Sequence, residues 1–182
     1  MQADRLEQAQ MAIRVIRFVG APKNFFTFGT PYHAGVTEDF ERIVADEFGG
    51  DIKSHQFIDV NGLVFDVKHH VSGSIIPHGR FTAVARERLW NLLWAEREQD
   101  GQPKASVVVR SHVHTYGGCF ASRWLAVVTP ALQAACTKYG ARRQSGTVDW
   151  GFVTFDVDDK EHWTWRVHTA QLAAVGIKAT RA

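Results

Sequence analysis

Two imidazoles two residues apart, His112 and His114, stand where a run of β-branched residues stops. Neutral imidazole is the commonest protein ligand for a transition metal, so the pair points first to metal chemistry. The preceding Val107-Val108-Val109 predicts a strand covered on both faces, because continuous β-branched residues suit that burial. Strand ends are where open α/β sheets place their chemistry. With nine His in 182 residues, a His-x-His arises easily by chance, so its position must carry the argument. Two further His sites follow predicted strands in the same way: His33, and the doublet His69-His70. Three sites at strand ends can converge on one rim, which scattered surface histidines do not. His55, His78, His162 and His168 have no such placement and read as exposed or core-satisfied. Arg110 reads equally as a phosphate contact or a strand-edge salt bridge, and Cys119 as a buried small hydrophobe rather than a soft ligand.

The elements that must position these groups follow from periodicity. Residues 3–18 predict an amphipathic helix, with Leu6, Ala9, Ile13 and Ile16 at helical spacing. Asn24 to Phe28 predicts a short aromatic strand running into the turn-rich Gly29-Thr30-Pro31-Tyr32-His33. Thr37 is the expected N-cap of a second helix, which Gly49-Gly50 ends. Residues 54–60 and 63–70 predict two strands joined by a hairpin at Asn61-Gly62. By period two His69 shares a face with Leu63, Phe65 and Val67; His70 and Asp66 face the other way. A helix over 83–98 is expected to turn Val84, Leu89, Leu92 and Leu93 inward and to stack Trp90 on Trp94. Leu125 to Val128 predicts a strand stopped by Pro130, and 147–157 with 162–169 a closing antiparallel pair. Interleaved strands and helices with hairpins among them predict a layered α/β protein with mixed sheets.

Composition bounds the answer. The length suits one domain, and 45% hydrophobic with 22% charged residues is ordinary for a globular chain. A formal charge of +2 is too small to indicate nucleic acid or an anionic membrane. Cys119 and Cys136 form no Cys-x-x-Cys and no disulfide framework, which suits a reducing compartment. No apolar run long enough to span a membrane and no signal peptide is evident, so a cytoplasmic location is expected.

Taken together, Gly-Thr-Pro-Tyr-His (29–33), Val-Lys-His-His (67–70) and Arg-Ser-His-Val-His (110–114) resemble, in that order, the last three metal motifs of the calcineurin-like metallophosphoesterases. The phage- and prophage-type members are the most similar, and Thr129-Pro130-Ala131-Leu132-Gln133 also fits them. The resemblance implies a layered α-β-β-α sandwich with mixed sheets and a hydrolase acting on phosphomono- or phosphodiesters with Mn²⁺, Fe, Zn²⁺ or Ni²⁺. It implies His69 and His112 as ligands of one metal and His114 of the other. Thr30 would stand for the family's amide ligand, His33 would be the acid on the leaving oxygen, and His70 would support the ligands from behind.

The family's earlier motifs, Asp-x-His and Gly-Asp-x-x-Asp, have no counterpart here; Gly50-Asp51 continues as Ile52-Lys53-Ser54. The expectation is a single domain over residues 1–182 that corresponds to the C-terminal portion of the family domain, either a piece of a longer product or a degenerate relative. Two metals roughly 3.5–4 Å apart need a bridging carboxylate to offset their charge, and neutral imidazoles do not supply it. Metal binding is therefore expected to be weak and hydrolysis by these residues alone near background. Open strand edges are expected around residues 24–29 and 105–111, where the missing strands would pair. A non-catalytic metal-binding or interaction module on the same scaffold is the alternative. No feature names the substrate beyond a phosphoester or sets an oligomeric state.

Overall fold

The computed structural model describes residues 4–30, 39–74, 76–132 and 148–170. In chain order the elements are α1 (Arg5–Val19), β1 (Phe26–Thr27), α2 (Phe40–Glu47), β2 (Ile52–Lys53), β3 (His55–Val60), β4 (Leu63–Lys68), α3 (Thr82–Ala95), β5 (Val107–Arg110), β6 (Gly117–Ala121), β7 (Trp124–Val128), β8 (Trp150–Val157) and β9 (Trp163–Ala170). The protein is mixed α/β. Its centre is a five-stranded mixed sheet in the order β3-β4-β5-β7-β6. β4, β5 and β7 run parallel, and β3 and β6 flank them antiparallel.

Period two explains the layering. Val107, with Leu63, Phe65, Leu125 and Val127, faces a cluster closed by Phe155, Val157, Trp163 and Trp165 of the β8–β9 hairpin. Val108, one residue on, faces the opposite cluster with Ala126 and Val128, closed by Ala83 and Val84 of α3. The layers are therefore helix, five-stranded sheet and two-stranded ribbon. The continuous Val run is the sequence signature of a strand covered on both sides, and β5 is one.

Local chemistry sets the boundaries. Asn61 (φ 52°) and Gly62 (φ 83°) both take positive φ, as a two-residue type I′ hairpin requires. Gly20 closes α1 in the left-handed conformation, its amide on Ile16 O at 3.0 Å. The cap of α2 is Asp39, whose carboxylate accepts the Arg42 amide at 2.9 Å; Thr37 lies outside the described residues.

Three expectations need correction. In α3, Leu89 and Leu93 are more than half exposed, while Ala83, Val84 and Asn91 are buried. The polar side chains win the inner face because the loop before β5 needs them. Asn91 accepts the Ala105 amide and donates to Pro103 O, and Arg88 donates to Ala105 O. Trp94 lies under the Arg97 guanidinium, 4.6 Å from its ring centroid. Second, β6 was not expected, since Gly117-Gly118-Cys119 lacks a strand's usual residues; Gly118 is needed because a Cβ there would lie 2.2 Å from Ala126 O on β7. Third, the open edge expected at 105–111 is absent: β5 is flanked by β4 and β7. β1 pairs with β2 on one side and has no second strand beside it among the described residues.

Candidate metal centre

His69 and His112 leave neighbouring parallel strands, one residue past β4 and two past β5. The parallel register brings those ends level, and the imidazoles meet: His69 Nε2 and His112 Nδ1 are 3.1 Å apart. The ring centroids are 5.2 Å apart, more than the N···N distance by about one ring width, so the two nitrogens point at each other. One N–H faces one lone pair, a hydrogen bond between the two rings. Two ligands of one Zn²⁺ at about 2.1 Å would stand about 3.4 Å apart at the tetrahedral angle, close to the spacing of these two nitrogens. The His70 ring also lies beside His112, centroids 4.9 Å apart at 46°. His69 and His112 are half-buried and His70 is exposed.

The backbone around His112 is strained. The Val113 amide donates to Ser111 O at 3.0 Å, an i to i+2 bond, and His112 between them has φ 76°. That is the rare form of γ-turn, disfavoured for a residue with a Cβ. His114 follows at φ 58°. Neighbouring strands hold the turn in place. Ser111 N donates to His69 O (2.9 Å), and Thr129 N donates to Arg110 O (2.8 Å). Ser111 and Thr129 share a hydroxyl bond of 2.9 Å. On the other side the Asp149 amide donates to His114 O (2.9 Å), and the Asp149 carboxylate accepts the Tyr116 amide (2.8 Å). Ser111, Thr129 and Asp149 thus set the loop's shape. Sequence reading missed all three, since their partners come from segments distant in sequence.

Of the other candidates, Thr30 follows β1. Its hydroxyl oxygen is buried without a hydrogen-bond partner among the described residues. β1 runs parallel to β2, and β2 leads into β3, whose His55 faces Lys68 at the end of β4. The end of β1 therefore approaches the end of the sheet that carries His69. His33 lies outside the described residues. No group of three or more His, Cys, Asp or Glu side chains able to hold a metal ion occurs among the described residues.

Arg110 is an ion-pair residue. It is 2% exposed and binds Asp66, also 2% exposed, at 2.7 Å and Glu87 at 2.9 Å. Asp66 also binds His55 at 2.8 Å. Burial pushes the Asp66 carboxyl up, but the His55 and Arg110 hydrogen bonds and the Arg110 charge outweigh it and hold it below the ordinary carboxylate range. His162 binds the Asp159 carboxylate and His168 the Thr154 hydroxyl, each at 3.0 Å, so neither belongs to the rim. Cys119 packs against the helix-side cluster, where burial raises its thiol pKa.

No family model matches this chain, and no curated protein matches it. No helix among the described residues is long and apolar enough to cross a membrane.

Proposed function

We propose that the protein is a metal-dependent phosphoester hydrolase of the calcineurin-like type, with its site at the rim formed by the ends of β4 and β5. The observation that carries this is the meeting of His69 and His112, with His112 held in a strained turn. Strain of about 1–3 kcal/mol persists only where the surroundings enforce it, and such sites are often functional. The helix-sheet-ribbon order agrees with part of the α-β-β-α sandwich that the motifs suggest. His69 and His112 would hold one divalent ion, with His114 and Thr30 at its margin and His70 beside His112. The ion would polarise a phosphoryl oxygen and favour hydroxide at neutral pH. His33 would deliver a proton to the leaving oxygen. The donors fit one ion and not two, because they include no carboxylate and Asp66 is engaged by Arg110 and His55.

The same lack of a carboxylate favours a second reading, a metal-binding module without turnover. Equilibrium dialysis with Mn²⁺ and Zn²⁺ and hydrolysis of bis-p-nitrophenyl phosphate separate the two. Binding of one ion, weakened at least about tenfold in His69→Ala and His112→Ala, is expected, with slow turnover that the same variants abolish. Binding without turnover selects the second reading. No binding, or binding indifferent to both substitutions, rejects both.

A further inference from the structure

At the other end of the sheet an open cleft of about 350 Å³ is lined by Phe120, Ala121, Ser122, Glu161, Trp163 and Trp165. It is remote from the His rim by topology. Gly117 pairs with Val128 near that rim, whereas Ala121 pairs with Trp124 at the opposite end of the same ladder. Three aromatic rings form its walls. Phe120 and Trp165 have centroids 5.5 Å apart at 60°, and Trp163 and Trp165 5.9 Å apart at 38°. Neither pair is stacked face to face. Trp163 and Trp165 are anchored on the core cluster beneath, while Phe120 is 67% exposed.

The charge beside the rings is negative. The Glu161 side chain forms no ion pair or hydrogen bond among the described residues. Its neighbour Asp159 is occupied, accepting the Glu161 and His162 amides and contacting the His162 ring. No Lys or Arg is among the lining residues, and the exposed Arg123 and Lys160 each follow or precede one in sequence. A free carboxylate repels phosphate, which disfavours a nucleotide stacked on the same rings. A sugar needs several directed hydrogen bonds, and the side chains here offer only the Ser122 hydroxyl and one carboxylate. The geometry points to a binding site for a quaternary ammonium group, held by the ring faces of Trp163, Trp165 and Phe120 with Glu161 as counter-charge. The site is independent of the metal rim.

The test is titration of the ¹⁵N-labelled protein with choline, following the indole N–H resonances of its six Trp, assigned with Trp163→Phe and Trp165→Phe. Saturable shifts confined to Trp163 and Trp165 are expected. Glu161→Gln should weaken binding a few-fold, Trp165→Ala about tenfold or more, and the uncharged isostere 3,3-dimethylbutan-1-ol should bind at least about tenfold more weakly. Unchanged resonances for the other four Trp in Glu161→Gln show that the fold is intact. Choline shifts accompanied by co-sedimentation with phosphatidylcholine vesicles assign the group to a lipid headgroup; shifts without co-sedimentation assign it to a free molecule. Equal binding of choline and its isostere, tighter binding of glucose than of choline, indifference to Glu161→Gln, or no shift at either indole overturns the proposal.

Discussion

His112 does two things that conflict. Its imidazole has to reach His69, and to do so its backbone adopts a φ of 76° that only glycine takes without penalty. The other described non-glycine residues with positive φ are His114 and Asn61, and Asn61 sits in a turn that demands it. The conflict can be measured. His112→Ala and His112→Gly both remove the imidazole, so a stability difference between them reads the backbone alone. Relief of left-handed strain favours the Gly variant by about 1–2 kcal/mol, less the greater entropy glycine has in the unfolded chain. An unfolding free energy about 1 kcal/mol higher for Gly than for Ala, read from urea denaturation, is expected. A Gly variant less stable than the Ala variant would mean that the turn stores no strain.

Between elements, the clamp on β4 and β5 is the buried Arg110. It donates to both the carbonyl and the carboxylate of Asp66 on β4 and reaches Glu87 on α3. It therefore ties two strands and the helix together directly beneath the two histidines. Arg110→Met leaves Glu87 without its ion pair and the buried Asp66 with His55 alone, and is expected to cost about 3–5 kcal/mol. The double variant Asp66→Leu/Arg110→Met should recover much of the loss, because it removes the stranded buried charge along with the partner. Chemical denaturation of the three proteins checks this; a double variant no more stable than Arg110→Met would contradict it. Asp66 also sets a pH dependence. Its folded pKa lies below that of the unfolded chain, so its contribution is complete above about pH 4 and is lost as pH falls through its folded value. Stability followed from pH 6 to pH 3 should decline at the acid end, and Asp66→Asn should flatten that decline.

Across the whole molecule, apolar surface remains outside. α1 buries only Ala9 and packs chiefly against α2. Met11, Val15 and Phe18 form a stripe at helical spacing on its exposed side, and Phe18 is 91% exposed. Leu89, Trp90 and Leu93 make a similar patch on α3. Patches of this kind associate or bind apolar probes. Sedimentation velocity across a concentration series should therefore show self-association, and Phe18→Ser with Trp90→Ser should reduce it together with binding of anilinonaphthalene sulfonate. A monomer with weak probe binding at all concentrations would show that these side chains are tolerated singly.

The elements were legible in the residues because their causes are local. Asn61-Gly62 dictates its hairpin, Gly20 stops its helix, and a run of three Val can be buried only between two layers. The opposed facing of Asp66 and His69 follows from period two along one strand, and it correctly keeps Asp66 from the candidate site. Sequence periodicity failed in α3, where Leu89 and Leu93 look like core. The inner face went instead to Arg88 and Asn91, because the buried Ala105 offers an amide and a carbonyl that need partners. It failed again at β6, whose glycines look like loop until the close approach of β7 is known. At the rim, position after predicted strands and the motif resemblance nominated His69 and His112. Their 3.1 Å meeting required something no single segment contains: the parallel register of β4 on β5, locked by Arg110 and by the Ser111 amide on the His69 carbonyl. Long-range pairing sets the distance between groups 43 residues apart in sequence, and that distance belongs to the tertiary structure.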